Sequence, residues 1–172
     1  MESDLELKSK FSNIFIMLLL SIQNGDIDNV KHFLTDELYD KYKQIVDLHK
    51  SNNEMHFYDE ANVKEISLSK RYKDDEFDVI EVDLTSRYMD YIIDLNTGKK
   101  KSGVDDHRVE INHRLVFKKK LNAVRGEVVK CAGCGANLDV NFTGKCEYCG
   151  TVHSAEDYDY ILYSITNLGG VI

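Results

Sequence analysis

Proline and tryptophan are absent from this 172-residue chain. Without proline, turns must come from Gly, Asn, Asp or Ser, and no rigid proline-rich spacer can hold two bodies apart. Tightly joined modules are therefore expected. Long apolar runs are missing too: the longest, Ile14 to Ile22 (IFIMLLLSI), falls far short of the ~20 residues a bilayer-spanning helix needs. It reads as a core helix. Met1 to Leu7 carries Glu2, Asp4 and Glu6 before the first lysine, Lys8, the opposite of the basic start of a secretory signal. The expected location is the cytoplasm or the cytoplasmic face of a membrane. Excess positive charge is also lacking. A formal charge of −8 disfavours a polyanionic partner, because nucleic-acid binders gain affinity by neutralising phosphates, so no nucleic acid is expected.

What is present is a globular composition, 42% hydrophobic and 30% charged, with enough apolar surface for a core and a well-solvated exterior. The length suits one ordinary domain with an appendage. Charge is unevenly spread. Phe57 to Asn96 holds 11 acidic against 5 basic residues, whereas Thr97 to Arg125 holds 3 acidic against 9 basic, including Lys99-Lys100-Lys101 and Lys118-Lys119-Lys120. Such a face can meet anionic lipid or an acidic protein, although solvated strand ends and loops produce the same pattern.

Leu5, Phe11, Ile14, Phe15, Leu18, Leu19 and Ile22 recur at helical spacing and predict an amphipathic helix from Ser3 to Gln23, stopped by Asn24-Gly25. Asp26 is placed to cap a short second helix carrying Ile27, Val30, Phe33 and Leu34, and Thr35 a third carrying Leu38, Tyr42, Ile45 and Leu48. From Val63 the period changes to two. Ile66 and Leu68, then Ile80, Val82 and Leu84 after an Asp74-Asp75 turn, then Tyr88 to Leu95 ended by Asn96-Thr97-Gly98, then Val109 to Phe117, predict about four strands. Strand follows strand without intervening helices, so the class is α+β: N-terminal helices packed on a curved antiparallel, cone-like sheet that wraps the first helix.

The cysteines are the sharpest signal. Cys131-Ala-Gly-Cys134 and Cys146-Glu-Tyr-Cys149 are separated by eleven residues, and each pair is followed by a glycine, Gly135 or Gly150. A Cys-x-x-Cys turn aims two sulfurs at one metal, and the trailing glycine lets the chain turn with φ > 0. Eleven residues is shorter than the usual 15–20 between such pairs, leaving room for a compact hairpin through Ala136-Asn137-Leu138 and Asn141-Phe142-Thr143-Gly144. Disulfides, a dithiol redox site, iron and free core cysteines are the alternatives. Disulfides need an oxidising compartment, and a redox site needs only one such pair, so the reading is one structural zinc ion, its shell closed by four thiolates and not catalytic. His153 is expected at the surface. Lys130 and Lys145 balance Asp139 and Glu147, so four thiolates with one zinc leave the ribbon about −2, unattractive to phosphate. Ser154-Ala155-Glu156-Asp157 resembles a capping box, and Tyr158, Ile161, Leu162 and Ile165 at helical spacing predict a terminal amphipathic helix. The expected divisions are a cone over 1–126, a zinc ribbon over 127–153, and a helix with tail over 154–172.

Catalytic patterns are missing from the rest. His32, His49, His56, His107 and His113 fall in no metal-ligand motif, and neither a nucleophile elbow nor a phosphate-binding glycine loop occurs. Asp105-Asp106-His107 could perform acid-base work but reads as an exposed inter-strand loop. His113 shares an alternating face with Val109, Ile111, Leu115 and Phe117, where a hydrogen-bonded core histidine is expected.

The helical start, the antiparallel strands, IDNVKHFLTDELYDKYKQ and VEINHRLVFKKK together resemble the Tim44-like domain over about residues 5–125. That family takes its name from a peripheral subunit of mitochondrial inner-membrane protein import and has many bacterial members. The resemblance implies a nuclear-transport-factor-two-like cone enclosing a pocket. GKCEYCGTVHSAEDYDYILYSI is similar to the four-cysteine ribbon that follows the cone in bacterial members. The tryptophan often found in the last strand is replaced by His113-Arg114-Leu115. Fold alone transfers no function, so the resemblance implies only an activity class: a non-enzymatic module engaging a protein segment or an anionic membrane surface through its pocket or sheet face, with the lysine clusters near the opening. The alternatives are a small-molecule enzyme built on His113 and a carboxylate such as Asp83, and a nucleic-acid-binding ribbon protein. Metal removal should unfold roughly residues 127–153 and leave most of the cone.

Overall fold

A computed structural model describes residues 2–121, 129–131, 133–138, 146–151 and 159–170. Helix α1 spans Asp4–Asn24, a 3-10 turn Ile27–Phe33, and α2 Asp36–Ser51. Strands β1 (Glu54–Lys73), β2 (Phe77–Asp94), β3 (Lys100–Lys120) and β6 (Ile161–Gly170) form one antiparallel sheet in that order; β4 (Val129–Lys130) and β5 (Asn137–Leu138) form a small second sheet. The α+β class and the N-terminal helices on a curved sheet are as expected.

Ser3 starts α1: its hydroxyl accepts the Glu6 amide while the Glu6 carboxylate accepts the Ser3 amide, a reciprocal cap. The buried stripe then runs through Leu7, Phe11, Ile14, Phe15, Leu18 and Ile22; Leu5, expected in the stripe, is 77% exposed. Thr35 caps α2 as anticipated. Asp26 makes no side-chain cap, and the segment after it is a 3-10 turn, a short connector with a tighter winding than the expected helix.

Phe11 lies flat against Phe117 of β3, with ring centroids 4.0 Å apart, and meets Tyr160 edge-on. Ile80, Val82, Leu84 and Tyr88 of β2 and Val109, Ile111, Leu115 and Phe117 of β3 supply the rest of the facing layer. These side chains and the buried stripe of α1 pack into one apolar core. A trough of about 500 Å³ crosses the solvent face of the sheet, among Glu65, Ser67, Asp83, Thr85, Asn112 and Leu168.

The segment Tyr88 to Leu95 is not a separate strand but the bent second half of β2. Pairing with β1 shifts between Asp59 and Asn62, opposite Arg87–Met89, and pairing with β3 shifts between Val104 and Val109, opposite Tyr88–Asp90. Bulges on both sides of one strand sharpen local twist and bend the sheet. Asp105, Asp106 and His107 fall in the β3 bulge and are exposed, so they belong to a strand irregularity and not to an inter-strand loop. The lysine clusters stand at opposite ends of β3.

The expected terminal helix over 154–172 is corrected by β6. Ile161 to Asn167 pair with Lys118 to His113, and aromatic and β-branched Tyr160, Ile161, Tyr163, Ile165 and Thr166 suit a pleated surface. The open edge of β3 supplies the hydrogen-bond partners. Tyr160 anchors the entry to this strand: its hydroxyl donates to Asp78 at 2.7 Å, and Arg71 donates to the same carboxylate oxygen at 2.9 Å. The capping-box residues Ser154 to Asp157 lie outside the described residues.

Candidate metal centre

Each cysteine pair sits in a turn of the same construction. Cys131 N–H donates to Ala136 O at 2.8 Å and Gly135 N–H to Cys131 O at 2.8 Å; Cys146 N–H donates to Thr151 O at 2.8 Å and Gly150 N–H to Cys146 O at 2.9 Å. Gly135 and Gly150 share φ = 76°, a left-handed conformation that glycine adopts without Cβ strain. The spacing Cys-x-x-Cys-Gly therefore writes the turn directly. Val129–Lys130 and Asn137–Leu138 pair to clamp the first turn.

The two turns bring all four sulfurs within 4.8 Å of one another. Cys131 Sγ stands 3.6 Å from Cys149 Sγ, and Cys134 Sγ 3.7 Å from Cys146 Sγ. A tetrahedral ion with metal–sulfur bonds of ~2.3 Å requires sulfur–sulfur edges of ~3.8 Å. The residues present thus fit one metal ion, with Cys131, Cys134, Cys146 and Cys149 as its four ligands. Electrostatics agree. Hydrogen bonds from the Thr151 hydroxyl and amide pull the Cys149 thiol down to about 6. The Ala136 amide also draws Cys134 down, but burial and the other three sulfurs outweigh it and push Cys134 up to about 12. Four thiolates cannot crowd together without a cation, and a dication relieves that repulsion.

Cys131 and Cys146 are buried, while Cys134 and Cys149 are exposed. The Gly133 amide supports Cys131 Sγ at 3.3 Å, and the Thr151 hydroxyl lies 3.0 Å from Cys149 Sγ. Sequence reading missed Thr151, whose role depends on contact between the two turns. His153 and the Asn141–Gly144 turn lie outside the described residues.

The other candidates separate. His107 Nδ1 lies 2.7 Å from Asp106 Oδ1 in the exposed bulge. Asp83 does not face His113: it pairs with Arg114 at 3.0 Å on the solvent face. His113 points into the core, with Nε2 2.8 Å from Ser86 Oγ and Nδ1 2.7 Å from Asn167 Oδ1. The order hydroxyl–imidazole–amide is that of a nucleophile, base and orienter, yet Ser86 is 0% exposed. Ser86 and His113 form a buried pair, and the exposed Asn167 bonds His113 from the sheet edge, so the three side chains tie β2, β3 and β6 together. Asn167 lies beyond the ribbon in sequence, so no local pattern announced it.

A family model for the Tim44-like domain matches residues 4–127. The chain belongs to the Tim44-like domain family. Among curated proteins none matches it. The match ends before the cysteines, yet the sheet of this Tim44-like domain takes its fourth strand from residues 161–170. The four cysteines thus follow the matched domain in sequence, and they lie between β3 and β6, which are hydrogen-bonded neighbours in one sheet.

Proposed function

We propose that the chain is a non-enzymatic binding or scaffold module whose four cysteines hold one structural zinc ion. The observation that carries the metal reading is the agreement between sulfur separations of 3.6 and 3.7 Å and the edge of a zinc–thiolate tetrahedron, ~3.8 Å. Four thiolates close the shell, leaving no position for water or substrate, so the ion braces the turns. Iron would accept the same ligands, and a reducing compartment keeps such thiols available, which supports a cytoplasmic location. Among the described residues no helix is long and apolar enough to cross a membrane.

The binding surface in this reading is the solvent face of the sheet. The trough among Glu65, Ser67, Asp83, Thr85 and Asn112 mixes acceptors and donors, with Asp83 and Arg114 already paired beside it, a character suited to a polypeptide segment more than to a lipid tail. An anionic membrane surface is the second partner class, reached through the ends of β3.

Native mass spectrometry of the full chain, purified without added metal, tests the first part. One zinc per chain, lost in Cys131→Ser, is the expected result; a visible iron–thiolate absorption band or metal retained by Cys131→Ser would sink it. A photo-crosslinking residue at position 85, placed in cells of the source organism, tests the second. Cross-links to one protein are expected, and cross-links confined to lipid would transfer the reading to the membrane.

A further inference from the structure

We propose that Cys134 is the ligand at which soft electrophiles modify the metal-loaded protein, and that Thr151 shields its counterpart, Cys149. The inference rests on the four cysteines holding one zinc ion. The two turns are near copies of one another, with matching backbone hydrogen bonds, and each leaves one cysteine exposed, Cys134 in the first and Cys149 in the second. Each exposed sulfur takes an amide hydrogen bond from the residue two positions on, Ala136 or Thr151. The copies part at that residue. Ala136 ends in a methyl group, whereas Thr151 brings a hydroxyl 3.0 Å from Cys149 Sγ.

Gly133 makes the room for this hydroxyl. A Cβ at that position would stand 2.3 Å from Thr151 Oγ1 and 3.2 Å from Cys149 Sγ. The equivalent position of the second turn is Tyr148, which is 76% exposed. One turn therefore accommodates the other's hydroxyl, and among the described residues no hydroxyl is returned to Cys134.

On the metal all four sulfurs are thiolates, so protonation does not rank them. Exposure ranks them first, removing Cys131 and Cys146. Hydrogen bonding ranks the remaining two, because a donated O–H occupies a sulfur lone pair and draws charge from it. With iodoacetamide, a Cys134 sulfur lone pair attacks the CH₂ carbon, the carbon–iodine bond breaks, and iodide leaves with its electron pair. The product is a neutral thioether in place of an anionic ligand. The zinc loses one thiolate charge, and the closed shell opens at that corner.

The test uses the zinc-loaded full chain with less than one equivalent of iodoacetamide, reading modification at each cysteine by peptide mass spectrometry. Cys134 should be labelled ahead of Cys149 by roughly tenfold, the rate equivalent of one hydrogen bond to a charged group. Thr151→Val, which keeps the shape and removes the hydroxyl, should bring Cys149 level with Cys134. Ala136→Thr, which gives the first turn its own hydroxyl, should slow Cys134. Equal labelling in the unmodified sequence, or an order unmoved by both substitutions, overturns the proposal. Zinc content is measured before reagent is added; a chain without zinc overturns the metal reading itself, and the proposal falls with it.

Discussion

His113 is held between Ser86 of β2 and Asn167 of β6, and burial pushes its imidazole below the ordinary histidine range despite the Asn167 hydrogen bond. His32 is lowered by burial as well. Both residues are neutral in the fold and charge more readily in the unfolded chain. The unfolded state therefore binds more protons once pH falls below about 6.5, and stability drops with it. The contribution is complete above that pH and is lost progressively toward the depressed folded values. Urea midpoints should fall from pH 7 to pH 5, and the His32→Gln, His113→Gln double substitution should flatten this slope. An unchanged slope in the double variant would assign the acid sensitivity to other groups. At this scale the sequence was readable where chemistry is local. Spacing alone brought the four cysteines together as a group that could hold one metal ion, and His113 showed its core position through alternation. Its partner Asn167 did not, because the two residues lie 54 positions apart.

The missed strand shows why elements are harder to read than side chains. Tyr158, Ile161, Leu162 and Ile165 satisfy a 3.6-residue period, but so short a window also satisfies a strand buried on both faces. The deciding fact is the unpaired edge of β3, which no local pattern contains. The bend in β2 was hidden similarly, since it arises from bulges on its two neighbours. Tyr160, Ile161 and Leu162 are at most 1% exposed, and full burial of each such side chain is worth ~1.5–3 kcal/mol. A chain ending at residue 127, the limit of the family match, should therefore lose cooperative unfolding and bind a hydrophobic dye. Joining Leu121 to Asp159 through a short Asn-Gly linker should restore it, because Lys118 and Ile161 already face each other across the ladder. A 1–127 fragment that melts as sharply as the full chain would show that β6 is dispensable.

For the molecule as a whole, the question is how strongly the metal supports the sheet. Residues 122–158 separate β3 from Asp159 in sequence, and a metal joining Cys131 to Cys149 spans about half of that separation. Loop-closure entropy changes by only ~0.6 kcal/mol for each halving of length, far less than the burial carried by Tyr160, Ile161 and Leu162. On the proposed reading a bound metal would hold the cysteine turns together, since so small a unit has too little core to fold without it, while the sheet is held by its own side chains. The Tyr160–Asp78–Arg71 latch gives a structural reason to expect β6 to stay in the sheet when the metal is removed. Chelation of the full chain should lower the main melting transition by ~1–3 °C and open the cysteine turns to protease, while α1, α2 and the four long strands stay protected from hydrogen exchange. A fall beyond ~10 °C, or loss of protection along β6, would show that the ribbon and the sheet fold as one unit.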